Sequence, residues 1–113
     1  IKQLNDTENK KYNINGNERA KNMKTVAYIN PVEKTSMIDV VSLPQLPEEQ
    51  CYQMWADVHD KMVSLGILSE TDSQLIPLPY MENALGLNIT IEPKGGNKDA
   101  SIGKTVAEIT LKK

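Results

Sequence analysis

Phenylalanine is absent from this 113-residue chain, and tryptophan, histidine and cysteine occur once each. Four tyrosines are the only other large rings, so aliphatic and methionine side chains must supply most of the core. The lone Cys51 can close no internal disulfide. That suits the cytoplasm, and equally an exported domain large enough to do without one. A chain of this length buries somewhat more than ~60% of its unfolded surface, enough for one core without metal or disulfide. An excess of positive charge is missing too: 13 Lys and Arg face 15 Asp and Glu, a net charge of −2. The only adjacent basic pairs are Lys10-Lys11 and Lys112-Lys113, which leaves a solvated surface and no nucleic-acid footprint. No apolar run approaches the ~20 residues of a membrane span, and no signal peptide begins at Ile1. A start at Ile rather than Met reads as a fragment or a mature piece.

What the chain does hold is a succession of short apolar runs with period two, broken by Pro, Gly and polar clusters. Residues 1–22 are polar and rich in Asn and Lys; they read as a tether in which Tyr12-Asn13-Ile14 forms a short first strand. From Met23 the period becomes two and stops at Asn30-Pro31. Residues 37–43 form a second run, ended by Pro44. Residues 51–58 read as a strand with Tyr52, Met54, Ala56 and Val58 on one face and Cys51, Gln53, Trp55 and Asp57 on the other. His59-Asp60 makes a tight connection to a return strand whose inner face carries Val63, Leu65 and Ile67, with Gly66 admitting a large ring. Residues 69–74 are a polar turn. Residues 75–78, with Pro77, read as an edge strand or an irregular crossing, and residues 80–85 as one helical turn. Leu87, Ile89 and Ile91 against Asn88, Thr90 and Glu92 is the cleanest alternation. A long loop over residues 93–102 precedes a last strand over residues 104–112. The expectation is an all-β antiparallel sandwich of about seven or eight short strands, immunoglobulin-like in general architecture, over residues 23–113.

The residues that bear chemistry do not converge. His59 and Asp60 sit in a turn, where such a pair is ordinarily solvent-exposed. Glu48 and Glu49 precede Cys51 and disfavour an activated thiolate. Met54 and Met62 near His59 and Cys51 suggest soft-metal ligands, yet methionines on strand faces fill cores. Gly95-Gly96 lacks the following helix and the Lys-Ser/Thr of a phosphate loop, and reads as a turn with positive φ. The sequon at Asn88 lies in mid-strand. No catalytic, cofactor or metal residue is therefore assigned. Trp55 stands apart: on the face opposite Tyr52 it either packs under the loop of residues 44–47 or forms a binding surface.

Leu43-Pro44 and Leu46-Pro47, then Tyr52-Gln53-Met54-Trp55, then Gly66, then Thr90-Ile91-Glu92-Pro93-Lys94-Gly95-Gly96 occur in that order. This ordered set resembles the C-terminal domain of the anti-sigma-K factor (RskA-like) family over about residues 26–111. One departure is that Asp99-Ala100-Ser101-Ile102 stands where the family usually has a Pro-Thr pair. The resemblance implies a non-enzymatic regulator with no catalytic residues. It implies the extracytoplasmic, periplasmic domain of a single-pass membrane protein whose separate cytoplasmic helical domain sequesters an extracytoplasmic-function sigma factor. A membrane protease is the further partner implied, with residues 1–22 as the membrane-proximal tether. The motif residues Leu43, Pro44, Pro47, Tyr52, Gln53, Trp55, Gly66, Glu92, Pro93, Gly95 and Gly96 are the expected structural or interaction positions. The alternative is a secreted sandwich module that binds carbohydrate or a surface protein, with Trp55 and Tyr80 as stacking platforms.

Overall fold

The computed structural model describes residues 9–68 and 74–111. Among them are eight strands: β1 Lys10–Asn15, β2 Lys24–Asn30, β3 Thr35–Ser42, β4 Gln50–Val58, β5 Lys61–Leu68, β6 Gln74–Leu78, β7 Gly86–Pro93 and β8 Thr105–Thr110. They form two antiparallel four-stranded sheets, one ordered β1-β2-β3-β6 and the other β5-β4-β7-β8. The all-β sandwich is therefore the fold. Its strand order differs from the A-B-E-D and C-F-G sheets of an immunoglobulin constant domain, because β1, β2 and β3 form a meander.

Period two builds the core. In the first sheet Tyr12, Ala27, Ile38 and Ile76 lie in one cross-strand row, and Ile14, Thr25 and Val40 in the next. In the second, Met54 pairs with Ile89, which pairs with Ala107; Ala56 pairs with Leu87, which pairs with Ile109. These inward side chains make one apolar cluster joined by Met23, Leu65, Leu68 and Ala84. Thr25 is the polar member, and its hydroxyl donates to Ile14 O (2.9 Å) across the sheet. A buried hydroxyl is thus satisfied without disturbing the apolar layer.

Several local expectations hold. His59 and Asp60 both have positive φ, 49° and 65°, as a two-residue hairpin turn with the strands' right-handed twist requires. β6 is the edge of its sheet, where Pro77 gives up no interior ladder bond. Others are corrected. Residues 80–85 contain no helical turn; Ala84 N donates to Met81 O (3.3 Å) in a single reverse turn. The return strand does not keep Val63, Leu65 and Ile67 on one face, because a bulge interrupts its pairing with β4. Leu65 is buried, whereas Ile67, opposite Gln53, is 45% exposed and Leu68 takes the inward place. Gly66 sits in that bulge at φ 128°, and no atom lies within 4 Å of where a Cβ would be. Its need is for backbone conformation, not for the approach of a ring.

β1 falls within the segment expected as a tether, and it pairs along its whole length with β2. The polar turn of residues 69–74 lies outside the described residues except for Gln74, which begins β6. The last strand is shorter than expected, with Lys112 outside the described residues. Its own bulge, between Thr105 and Ala107, leaves Val106 buried as well.

Candidate functional site

The motif residues meet on β4. Its outward face presents Cys51, Gln53 and Trp55, paired with Glu92, Thr90 and Asn88 of β7 respectively. Over this face folds the connection from Pro93 to β8. Trp55 is fully buried there. Its Nε1–H donates to Thr90 Oγ1 (2.9 Å), and the Thr90 hydroxyl in turn donates to Glu92 Oε2 (2.5 Å). Ser101 supplies two more donors to the same carboxylate, backbone N to Oε2 and Oγ to Oε1, both at 2.7 Å. Asn97 Nδ2 adds a longer one to Oε1 (3.3 Å).

Glu92 is 1% exposed. Burial alone pushes its pKa up, but the bonds from Thr90, Ser101 and Asn97 outweigh it and hold the carboxyl below its ordinary 4.5. The group is therefore an ionised acceptor satisfied by four donors, an arrangement that fixes a loop. It differs from a catalytic acid, which burial would keep protonated near neutral pH.

Gln53 holds the other half of the loop. Its Oε1 accepts from Asn97 N (2.8 Å), and its Nε2 donates to Ser64 Oγ (2.8 Å) and Asn97 O (3.1 Å). Gly95 and Gly96 turn the chain into this grip at φ 92° and 89°. At Gly96 a Cβ would also press on Gln53 Oε1 at 3.0 Å and Ile67 Cδ1 at 3.2 Å. The two glycines are thus a turn, as their spacing implies, and Gly96 is also a close approach. With Gln53, Gly66, Ser64, Ile67, Asn97 and Lys98 they line a shallow, open depression on the sheet.

The Leu-Pro lead is tied to the same strand from its inner side. Tyr52 is buried, and its hydroxyl donates to Pro44 O (2.8 Å). Leu43 and Leu46 pack against the core, and Gln50 N donates to Pro47 O (3.0 Å). Lys94 N donates to Glu49 O (2.8 Å), joining the loop before β4 to the turn after β7. Cys51 Sγ lies 3.3 Å from Pro93 O as a weak donor. Ten of the eleven motif positions thus lie in or against two loops at one end of the sandwich, with the eleventh, Gly66, beside them in β5.

Asn97, Ser101 and Ser64, which complete the network, were not singled out by sequence. The available signal was electrostatic: Gln53, Thr90 and Glu92 on the face that carries Trp55 need partners if that ring is buried. Other residues stay apart. His59 and Asp60 are exposed in their turn, Met54 is fully buried, and Met62 lies half-buried on the outer side with its sulfur 3.7 Å from Asn88 Nδ2. Among the described residues no three His, Cys, Asp or Glu side chains gather as a metal would require. No helix among them is long and apolar enough to cross a membrane. Trp55, being buried, offers no platform to a sugar ring.

The family model described as anti-sigma-K factor rskA, C-terminal, matches residues 3–105. Nothing matches among the curated proteins or the solved structures. Residues 3–105 include every motif position, the strands β1 to β7 and the first residue of β8, and the chain belongs to the anti-sigma-K factor RskA C-terminal family, a family of regulators.

Proposed function

We propose that this sandwich is the extracytoplasmic regulatory domain of a membrane-anchored anti-sigma factor. In this reading a separate cytoplasmic domain sequesters an extracytoplasmic-function sigma factor, and regulated proteolysis of the tether releases it. The sandwich is the non-enzymatic element that sets when cleavage begins. The observation that carries the reading is the use to which the motif's polar groups are put. Gln53, Trp55, Thr90 and Glu92 spend their donors and acceptors on holding residues 93–101. A motif whose chemistry is consumed in its own architecture suits a shape-bearing module better than an enzyme. β1 adds a physical route. It is an edge strand with one fully buried residue, Ile14, so its docking can change while the other strands stay paired.

The test is made on the full-length protein in its native membrane. Fractionation and protease protection should place this domain across the membrane from the sigma factor, and deletion of the domain should change the rate at which the tether is cut. Residues 1–113 alone should not retain sigma factor in a pull-down. Tight retention by residues 1–113, or a soluble full-length product released from a cleavable signal peptide, would overturn the reading.

A further inference from the structure

At the end of the sandwich opposite the buried network the two sheets part around a cavity of about 270 Å³. Tyr12 and Ile29 wall it from the first sheet, Leu65 and Leu87 from the second, and the loop after β6 covers it with Tyr80 and Met81. That loop is secured mainly to the second sheet: Leu85 N donates to Asp57 O (2.7 Å) and Leu111 N to Leu85 O (3.0 Å). Toward the first sheet it reaches the β2–β3 turn through Lys34 and Glu82, 3.5 Å apart and both more than half exposed. Such a pair holds weakly.

The charges at the rim are unequal in their commitments. Glu82 is engaged by Lys34, whereas Lys10, also on the cavity wall, has no acidic side chain within ion-pair distance among the described residues. An apolar interior with Lys10 on its wall, unpaired among the described residues, is complementary to an amphiphile with an anionic head.

We propose that this cavity binds a small monocarboxylate, its apolar body between the sheets and its carboxylate at Lys10. A body of roughly ten non-hydrogen atoms fits, scaled from the ~150 Å³ apolar cavity that takes up benzene. A short or medium acyl chain has that size. Because Lys10 and Tyr12 belong to β1, the occupant contacts both sheets and the strand by which the chain joins the sandwich. The binding inference stands apart from the anti-sigma reading, since it concerns the domain alone and requires neither membrane nor protease.

Octanoate and octanol, titrated into the 113-residue chain by NMR and calorimetry, test it. Saturable octanoate binding is expected, with shifts concentrated on the methyl groups of Ile29, Leu65, Met81 and Leu87. Octanoate should bind about 1.5- to fivefold tighter than octanol, the range set by an exposed ion pair. That preference should vanish in Lys10→Gln, an exposed site that leaves the fold intact. Ser36→Leu, which builds a larger side chain on the cavity wall, should abolish binding of both probes. Absence of saturable binding, shifts scattered over the surface, or an octanoate preference that survives Lys10→Gln would each overturn the proposal. If Ser36→Leu does not fold, Lys10→Gln and the methyl shifts decide it alone.

Discussion

Glu92 is where burial and charge meet most sharply. Its folded-state pKa lies below the ordinary 4.5, as the bonds from Thr90, Ser101 and Asn97 outweigh the cost of burial. The unfolded chain therefore binds the proton more readily, and stability rises with pH through that window. The contribution is fully present above about pH 4.5 and is lost as pH falls through the lower folded value. Urea denaturation across pH 2.5–7 should show this slope, and Glu92→Gln should flatten it. At neutral pH that variant should lose about 2–3 kcal/mol, because an amide turns its NH₂ toward groups that are themselves donors. An unchanged slope in the variant would locate the acid sensitivity elsewhere. Trp55 is the chain's single tryptophan, so its fluorescence reports on this site alone. Emission should be blue-shifted in the native state and indifferent to added oligosaccharides. A saturable sugar-induced shift would restore the platform role that burial denies it. Trp55→Phe should cost about 1–3 kcal/mol, leaving Thr90 without a donor and the site short of volume.

At the scale of elements, what could be read from the sequence followed from simple periodicity. The alternation of residues 87–92 and of residues 51–58 fixed which side chains face inward, and the pairings of β4 with β7 agree residue by residue. The return strand departs from its apolar pattern for a definite reason. A bulge at Leu65 and Gly66 changes the phase of a period-two pattern, and nothing in the apolar spacing announces it. The sequence suggests a steric cause for Gly66, whereas its φ of 128° is the cause the structure supports. The candidate site was half legible for a similar reason. Trp55 and Glu92 were visible as members of ordered motifs, but Asn97 and Ser101 reach them by a loop whose path no period specifies. Gly66→Ala should therefore destabilise by about 1–3 kcal/mol through backbone strain, although a methyl there meets open space. Gly96→Ala should cost at least as much, since its Cβ adds pressure on Gln53 and Ile67 to the same strain. Equilibrium unfolding of both variants checks the ordering. Equal and negligible losses would mean that the loop re-forms without either positive φ.

For the whole molecule, the two ends of the sandwich are held by different forces. At one end residues 93–101 are fastened by charge-assisted hydrogen bonds to the buried Glu92, and residues 43–50 by neutral ones from Tyr52 and the backbone. The other end has the cavity and a covering loop joined to the first sheet by an exposed ion pair. β1 spans the distance between them. It starts at the cavity wall with Lys10 and ends at Asn15, just before Asn17 N donates to Val106 O (2.7 Å) and Asn17 Nδ2 to Thr105 O (2.9 Å). Only Ile14 of β1 is fully buried, and β1 has a strand neighbour on one side only. Opening should therefore begin there, at a free energy below that of global unfolding. Ile14→Ala removes about 2–5 kcal/mol of packing from the strand. Its hydrogen exchange, read by mass spectrometry, should rise in β1 and in the connection to β2 well before β4 or β7 is affected. A uniform rise across all eight strands would instead describe a sandwich that opens only as a unit. Such a sandwich could not pass a change through β1 without unfolding altogether, so this measurement tests the route proposed above for the domain's control of proteolysis.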